Sequence, residues 1–251
     1  LGYRDRYYEP SLITVVASGD VTLNQLTDLT RAHYGAIQPR QRKNIDLFTC
    51  GSKAPTVKLV TKDTEQTHLA LGVHAFSKED PDEYALEILS VILGGNMSSR
   101  LFNEVREERG LAYEIGSFTR KFHETGAFGV AAGVDNKKTK EALQVIVHEL
   151  ARTTSQPIKA DELRRAKEFF LGQMELALES AMNNMLWAGE NMVCLGRCRT
   201  PEEVALRVEQ VSGDDLMRVA RKIFNEGSVN LAVVGPQADS LEKECRKILS
   251  L

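Results

Sequence analysis

Three observations predict an α+β fold, with helices packed on a mostly antiparallel sheet. Apolar strand-like runs come in neighbouring pairs ahead of Asn136. Beyond it, apolar residues recur at helical spacing in a group of consecutive segments. The composition also suits a packed core: 251 residues, 42 % hydrophobic and 27 % charged. That length holds one large domain, or one domain and part of another. With 32 basic and 35 acidic residues the net charge is −3, which argues against a nucleic-acid binder that relies on a strong positive field. No run approaches the roughly 18–20 apolar residues of a membrane span. The first residues do not read as a signal peptide, and there is no starting Met. The chain therefore reads as a piece of something longer.

Residues 12–17 ("LITVVA") read as a strand. Ser18, Gly19 and Asp20 follow, then a helix with Leu23, Leu26 and Leu29 at spacing three. Asp20 or Thr22 suits its N-cap and Gly35 its end. The same order recurs at the far end: an apolar run at 229–234, then Gly235 and Pro236, then a helix carrying Leu241, Cys245, Ile248 and Leu249. The repetition predicts an internal duplication. Residues 1–35 would be the tail of a preceding homologous domain, 36–55 a linker, and 56–251 a complete second domain. The linker holds Pro39, Gly51, Pro55 and the basic cluster Arg40, Arg42 and Lys43.

Residues 56–61 and 68–76 read as two strands with a turn at 62–67. Asp80 and Pro81 start a helix with Ala85, Ile88, Leu89, Ile92 and Leu93 on one side, broken by Gly94, Gly95 and Asn96. Ser98 or Ser99 is expected to cap the next helix, which points Leu101, Phe102 and Val105 inward and stops at Gly110. A second strand pair covers 111–119 and 126–134. In the latter, Ala127, Gly129, Ala131 and Gly133 leave one face nearly bare, which suits a closely packed helix. Helices are expected from 136 to 224.

A helical zinc motif needs two His four residues apart. None of His33, His68, His74, His123 and His148 has such a partner, and neither H-E-x-x-H nor H-x-x-E-H occurs. His68 and His74 share a strand face but lie about 20 Å apart, too far for one ion. No metal site is expected in this chain. The run 94–100 lacks the ending of a P-loop; a tight turn, or a loop that touches a peptide, remains. No G-x-S-x-G elbow appears, and Glu104, Glu107 and Glu108 alternate with Arg106 and Arg109 as on a solvated helix face. Cys194 and Cys198 fall one helical turn apart; reduced, mostly buried thiols are the plain reading of Cys50, Cys194, Cys198 and Cys245, with a disulfide or half a metal site as alternatives.

The run "GGNMSSRLFNEVREERGLAYEIGS" at 94–117 resembles the second homologous domain of the pitrilysin-like zinc metallopeptidases, close to the mitochondrial-processing-peptidase type and its bacterial relatives. The opening "YYEPSLITVVASGDV" resembles the end of that family's first domain, and the likeness runs over most of the chain. The resemblance implies a processing-peptidase-like half: two similar domains around a peptide cavity, with zinc held by the first domain or by a partner, none by this chain. It implies that an Arg and a Tyr seven residues apart, here Arg106 and Tyr113, serve as catalytic hydrogen-bond donors to the substrate carbonyl and the tetrahedral oxyanion. Gly95, Asn96, Ser98 and Ser99 become substrate-binding candidates. Read alone, Arg106 is a surface helix residue, and Tyr113 has the strand parity of Leu111 and Ile115 and would be core.

The partners implied are a peptide substrate and the zinc-binding domain or subunit, as a homo- or hetero-dimer where that subunit is separate, without nucleic acid or membrane. The family also contains non-catalytic partners and scaffold subunits, so a peptide-binding or pairing homologue is the alternative to a zinc endopeptidase. Without the zinc motif the chain is expected to be inactive alone. Bacterial cytoplasm and mitochondrial matrix both fit the resemblance, and the compartment stays open.

Overall fold

Strand-forming residues and alternating burial coincide in the computed structural model, which describes residues 2–38, 48, 56–225, 229–236 and 238–249. In chain order the described elements are α1 (Gly2–Tyr7), a 3-10 turn (Pro10–Leu12), α2 (Leu23–Tyr34), β1 (Val57–Thr61), β2 (Thr67–Ala75) and α3 (Glu83–Gly94). A π-helix (Phe102–Glu108), β3 (Ala112–Lys121) and β4 (Gly126–Val134) follow. Then come α4 (Thr139–Ser155), α5 (Ala160–Leu178), α6 (Ala181–Leu195), α7 (Pro201–Gln210), α8 (Gly213–Ile223), β5 (Asn230–Gly235), a 3-10 turn (Ala238–Leu241) and α9 (Glu242–Leu249). The fold is α+β, with one mixed, mostly antiparallel sheet. The chain gathers into two units, Leu1–Phe48 with Gly172–Val204, and Thr49–Leu171 with Ala205–Leu251. Nearly all of the linker expected at 36–55 lies outside the described residues, Cys50 included.

The larger unit holds the sheet, in the order β1-β5-β2-β4-β3. β5 runs parallel to β1 and antiparallel to β2, and β4 is antiparallel to both β2 and β3. The hairpin expected from the first two strands does not form, because β5 lies between them. Asn136 holds their connection open: its Nδ2 donates to the carbonyls of Thr64 and Glu65, each at 3.2 Å, and Thr67 Oγ1 donates to its Oδ1 at 2.7 Å.

One sheet face is apolar. Leu69, Leu71, Val73, Phe128, Val130, Ala132, Val134, Leu231 and Val233 are all buried there. α3 packs on β3 and β4, α8 on β2, and α9 on β1, with α4 against α8 and α9. α3 is apolar nearly all round and buried almost throughout, as expected for a helix enclosed on every side. Its last turn sits close to β3: a Cβ on Gly94 would lie 2.5 Å from the Ser117 amide nitrogen. Ser117 Oγ donates to the Ser90 carbonyl at 2.7 Å across the same contact.

The first turn of α3 carries a buried ion cluster. Lys121 Nζ lies 3.0 Å from Glu83 and 2.6 Å from Glu87, and Thr119 Oγ1 donates to Glu87 at 2.9 Å. Burial pulls the Lys121 pKa down, but the charges of Glu87 and Glu83 outweigh it, so the ammonium is held above its ordinary value.

The bare face of β4 carries no helix among the described residues. The Phe118 ring stands where a Gly129 Cβ would be, 2.4 Å away, and Gln66 and Glu114 reach over Gly133. The missing side chains are thus replaced by long cross-strand neighbours rather than by a helix. This open face also carries the exposed His68 and His74.

In the smaller unit, Thr22 caps α2 through a reciprocal box with Gln25, and Gly35 closes the helix. No α2 residue is buried, and Leu23, Leu29 and Tyr34 are exposed. Residues 13–17, expected as a strand, belong to no sheet among the described residues, although Ile13 has extended backbone angles. They run beside α6, where a Cβ on Gly189 would lie 3.0 Å from Val16. Cys194 is half-buried, Cys198 exposed and Cys245 buried, all three as free thiols, so burial fits only the last.

Candidate functional site

Gly110 fixes the corner between Arg106 and Tyr113. Its φ is +57°, the left-handed region that costs glycine nothing, and it ends the π-helix as expected. The closing bonds run from Gly110 N to Arg106 O (3.1 Å) and from Leu111 N to Val105 O (2.8 Å). Each spans one residue more than in the usual glycine-ended α-helix, because the helix has widened to the π form. Glu104 and Arg109, five residues apart, accordingly meet at 3.6 Å. Leu101 and Val105 are fully buried, while Phe102 is half-exposed.

Arg106 projects from the last turn with its side chain 44 % exposed. Its guanidinium lies 4.8 Å from the centre of the Phe102 ring, which holds the fork without tying up its donors. Its nearest carboxylate, Glu107, is at 3.8 Å, beyond hydrogen-bond range.

Tyr113 does not follow the parity of Leu111 and Ile115. The β3–β4 register steps from Ala112 opposite Val134 directly to Glu114 opposite Gly133, so Tyr113 is the extra residue of a β-bulge. Leu111 and Ile115 are both buried, whereas Tyr113 is 59 % exposed. A bulge re-aims a side chain in this way. One added residue in the helix and one in the strand thus flank Gly110, and both donors stay exposed. Single-residue spacing carries no signal for either irregularity.

The substrate-binding candidates form one loop between α3 and the π-helix. Gly95 ends α3 where a Cβ would come 2.7 Å from the Val91 backbone. Ser99 stands where the next helix begins, its carbonyl accepting from Asn103 N at 3.0 Å, but its hydroxyl makes no cap bond. The side-chain turn lies ahead of the helix instead, with Asn96 Oδ1 accepting from Ser98 N at 2.8 Å. Asn103 Nδ2 donates back to the Ser98 carbonyl at 3.2 Å. Ser98 is exposed, while Ser99 is buried with its Oγ unpartnered. Beside the loop lies a cavity of about 470 Å³ whose apolar walls include Val91, Ile92 and Phe169.

Two groups hold this region that spacing along the chain could not reveal. Arg100 donates Nε and Nη2 to the two oxygens of Glu162, each at 2.7 Å, and Lys138 Nζ donates to the Gly110 carbonyl at 3.1 Å. Among the described residues, no group of three or more His, Cys, Asp or Glu side chains is placed to hold a metal ion, so these residues do not fit zinc.

A family model described as the peptidase M16 inactive domain matches residues 1–170. An uncharacterized zinc protease of Streptomyces coelicolor is 32 % identical over 241 residues, covering 93 % of this chain and 52 % of that protein. One of Mycobacterium tuberculosis is 31 % identical over 249 residues, 97 % of this chain and 57 % of that protein. The chain thus spans about half the length of these relatives. Among solved structures, a protease from Helicobacter pylori superposes with a TM-score of 0.78 at 23 % identity, over 87 % of this chain and 54 % of that one. A peptidase M16 inactive domain from Pseudomonas fluorescens gives 0.74 at 20 %, over 87 % and 52 %. These two likenesses concern the fold.

Proposed function

From the premise that this chain belongs to the M16 peptidase family, as its inactive domain, we propose that it supplies the non-zinc wall of a peptide-cleaving chamber. Residues 1–35 are the tail of a preceding homologous domain, 36–55 the linker and 56–251 the complete second domain. The zinc belongs to another domain or subunit. The open sheet face and the 95–99 loop meet the peptide substrate. Arg106 and Tyr113 donate hydrogen bonds to the scissile carbonyl as it becomes a tetrahedral oxyanion. Such donors act by being fixed in advance where negative charge develops.

The observation that carries this reading is the paired exposure of Arg106 and Tyr113 around Gly110. A surface helix and a regular strand would not need an added residue on each side of one glycine. The test joins this chain to the zinc-binding half and follows cleavage of a peptide. Arg106→Ala and Tyr113→Phe are each expected to lower turnover by on the order of 10²-fold. Unchanged turnover in both would sink the assigned roles.

The lack of a metal cluster among the described residues favours a second reading, a non-catalytic homologue that binds peptides or partners an active subunit. An intact H-x-x-E-H with a distal Glu in the preceding half excludes it.

A further inference from the structure

The segment from Arg100 to Tyr113 is anchored from outside at both ends. At its start, the two-pronged contact of Arg100 with Glu162 of α5 is largely buried, the side chains being 16 % and 21 % exposed. The hydrogen bond to Glu162 raises the Arg100 pKa despite burial, and the Glu162 and Glu149 charges add to it. At its end, Lys138 holds the Gly110 carbonyl, and Asp135 N donates to Leu111 O at 3.2 Å.

Between these anchors the helix is π-wide. That form is rare and mostly confined to single turns inside α-helices. Something outside the helix therefore selects it. A return to the α ladder would turn each side chain beyond Phe102 around the axis, Arg106 included, and would leave one residue over before Gly110.

We infer that Arg100 is a positioning residue for Arg106, and that its contact with Glu162 keeps the π register. The inference rests on the reading of Arg106 given above. Arg suits the task because its planar fork fixes direction as well as charge, which a Lys ammonium does not.

Arg100→Lys keeps the charge and loses the fork. In this chain alone, amide hydrogen exchange over 103–109 is expected to speed up by at least tenfold, with β4 amides unchanged. In the chain joined to the zinc-binding half, kcat is expected to fall on the order of 10–100-fold, as for a small misplacement of a catalytic group, with KM shifted less than twofold. Should Arg100→Lys fail to fold, Glu162→Gln weakens the contact from α5 and is expected to give both results. Parent-like exchange at 103–109 in the folded variant overturns the anchor. Faster exchange with parent-like kcat, where Arg106→Ala is damaging, overturns the positioning role. If Arg106→Ala is itself silent, the catalytic reading falls, and the exchange result alone decides the anchor.

Discussion

Residues 12–35 and 229–249 share one local pattern and meet opposite fates. Each runs from an apolar segment through a glycine turn into a helix. In the second copy, β5 lies between β1 and β2, and α9 buries Cys245, Ile248 and Leu249. Its turn is tied to β1, with Thr61 Oγ1 donating to Asp239 at 2.6 Å. In the first copy, residues 13–17 join no described sheet and α2 buries nothing. Helix caps and apolar spacing are thus enough to make the helix, and neighbours decide whether its apolar stripe becomes core.

The largest contrast is expected in amide exchange. Residues 231–234 should open only with the whole unit and 13–16 locally, a difference on the order of a thousandfold or more. Equal protection breaks the comparison. Next comes truncation of the apolar stripes. Ile248→Ala should cost about 2–5 kcal/mol in urea unfolding, and Leu29→Ala no more than about 0.5 kcal/mol. The same Leu29→Ala made in the chain joined to a preceding half sharpens the point. A cost above about 2 kcal/mol there supports a first-domain tail, and a continued near-zero cost counts against it.

The smallest effect separates two capping boxes. Ser212 and Asp215 cap α8, while Thr22 and Gln25 cap α2. Hydrogen bonds from Ser212 and Arg218 pull the Asp215 carboxyl down to about 2. A depressed carboxylate stabilises above its ordinary pKa and loses that contribution as pH falls towards the folded value. Between about pH 4 and 2 the α8 cap should weaken, and the α2 cap, which has no titrating partner, should not. Loss of Ser212 by Ser212→Ala should cost about 1 kcal/mol at neutral pH and flatten that acid limb. A limb of unchanged slope would locate the acid sensitivity elsewhere.

Much of the fold was legible because burial leaves a period. The helices from Asn136 onward, the β3–β4 pair and the glycine ends at Gly35, Gly95 and Gly110 fall where spacing and turn chemistry put them. The strand neighbours of β1 were not legible, since its partner β5 lies far along the chain and Asn136 holds the β1–β2 connection open. The Arg106–Tyr113 pair came from a family resemblance. Residue parity alone places Tyr113 in the core, and the bulge that turns it outward is a property of the β3–β4 register.

By itself the sequence determined most of the element types, the glycine helix ends, the near-neutral charge and the family. Those follow from local backbone preferences and from side-chain chemistry that each residue carries anywhere. Only the tertiary structure decided the insertion of β5, the filling of Gly129 by Phe118, the π-wide helix behind Arg106 and the outward turn of Tyr113. These depend on which distant groups come within a few ångströms, as Arg100 and Glu162 do, and no local pattern encodes that meeting.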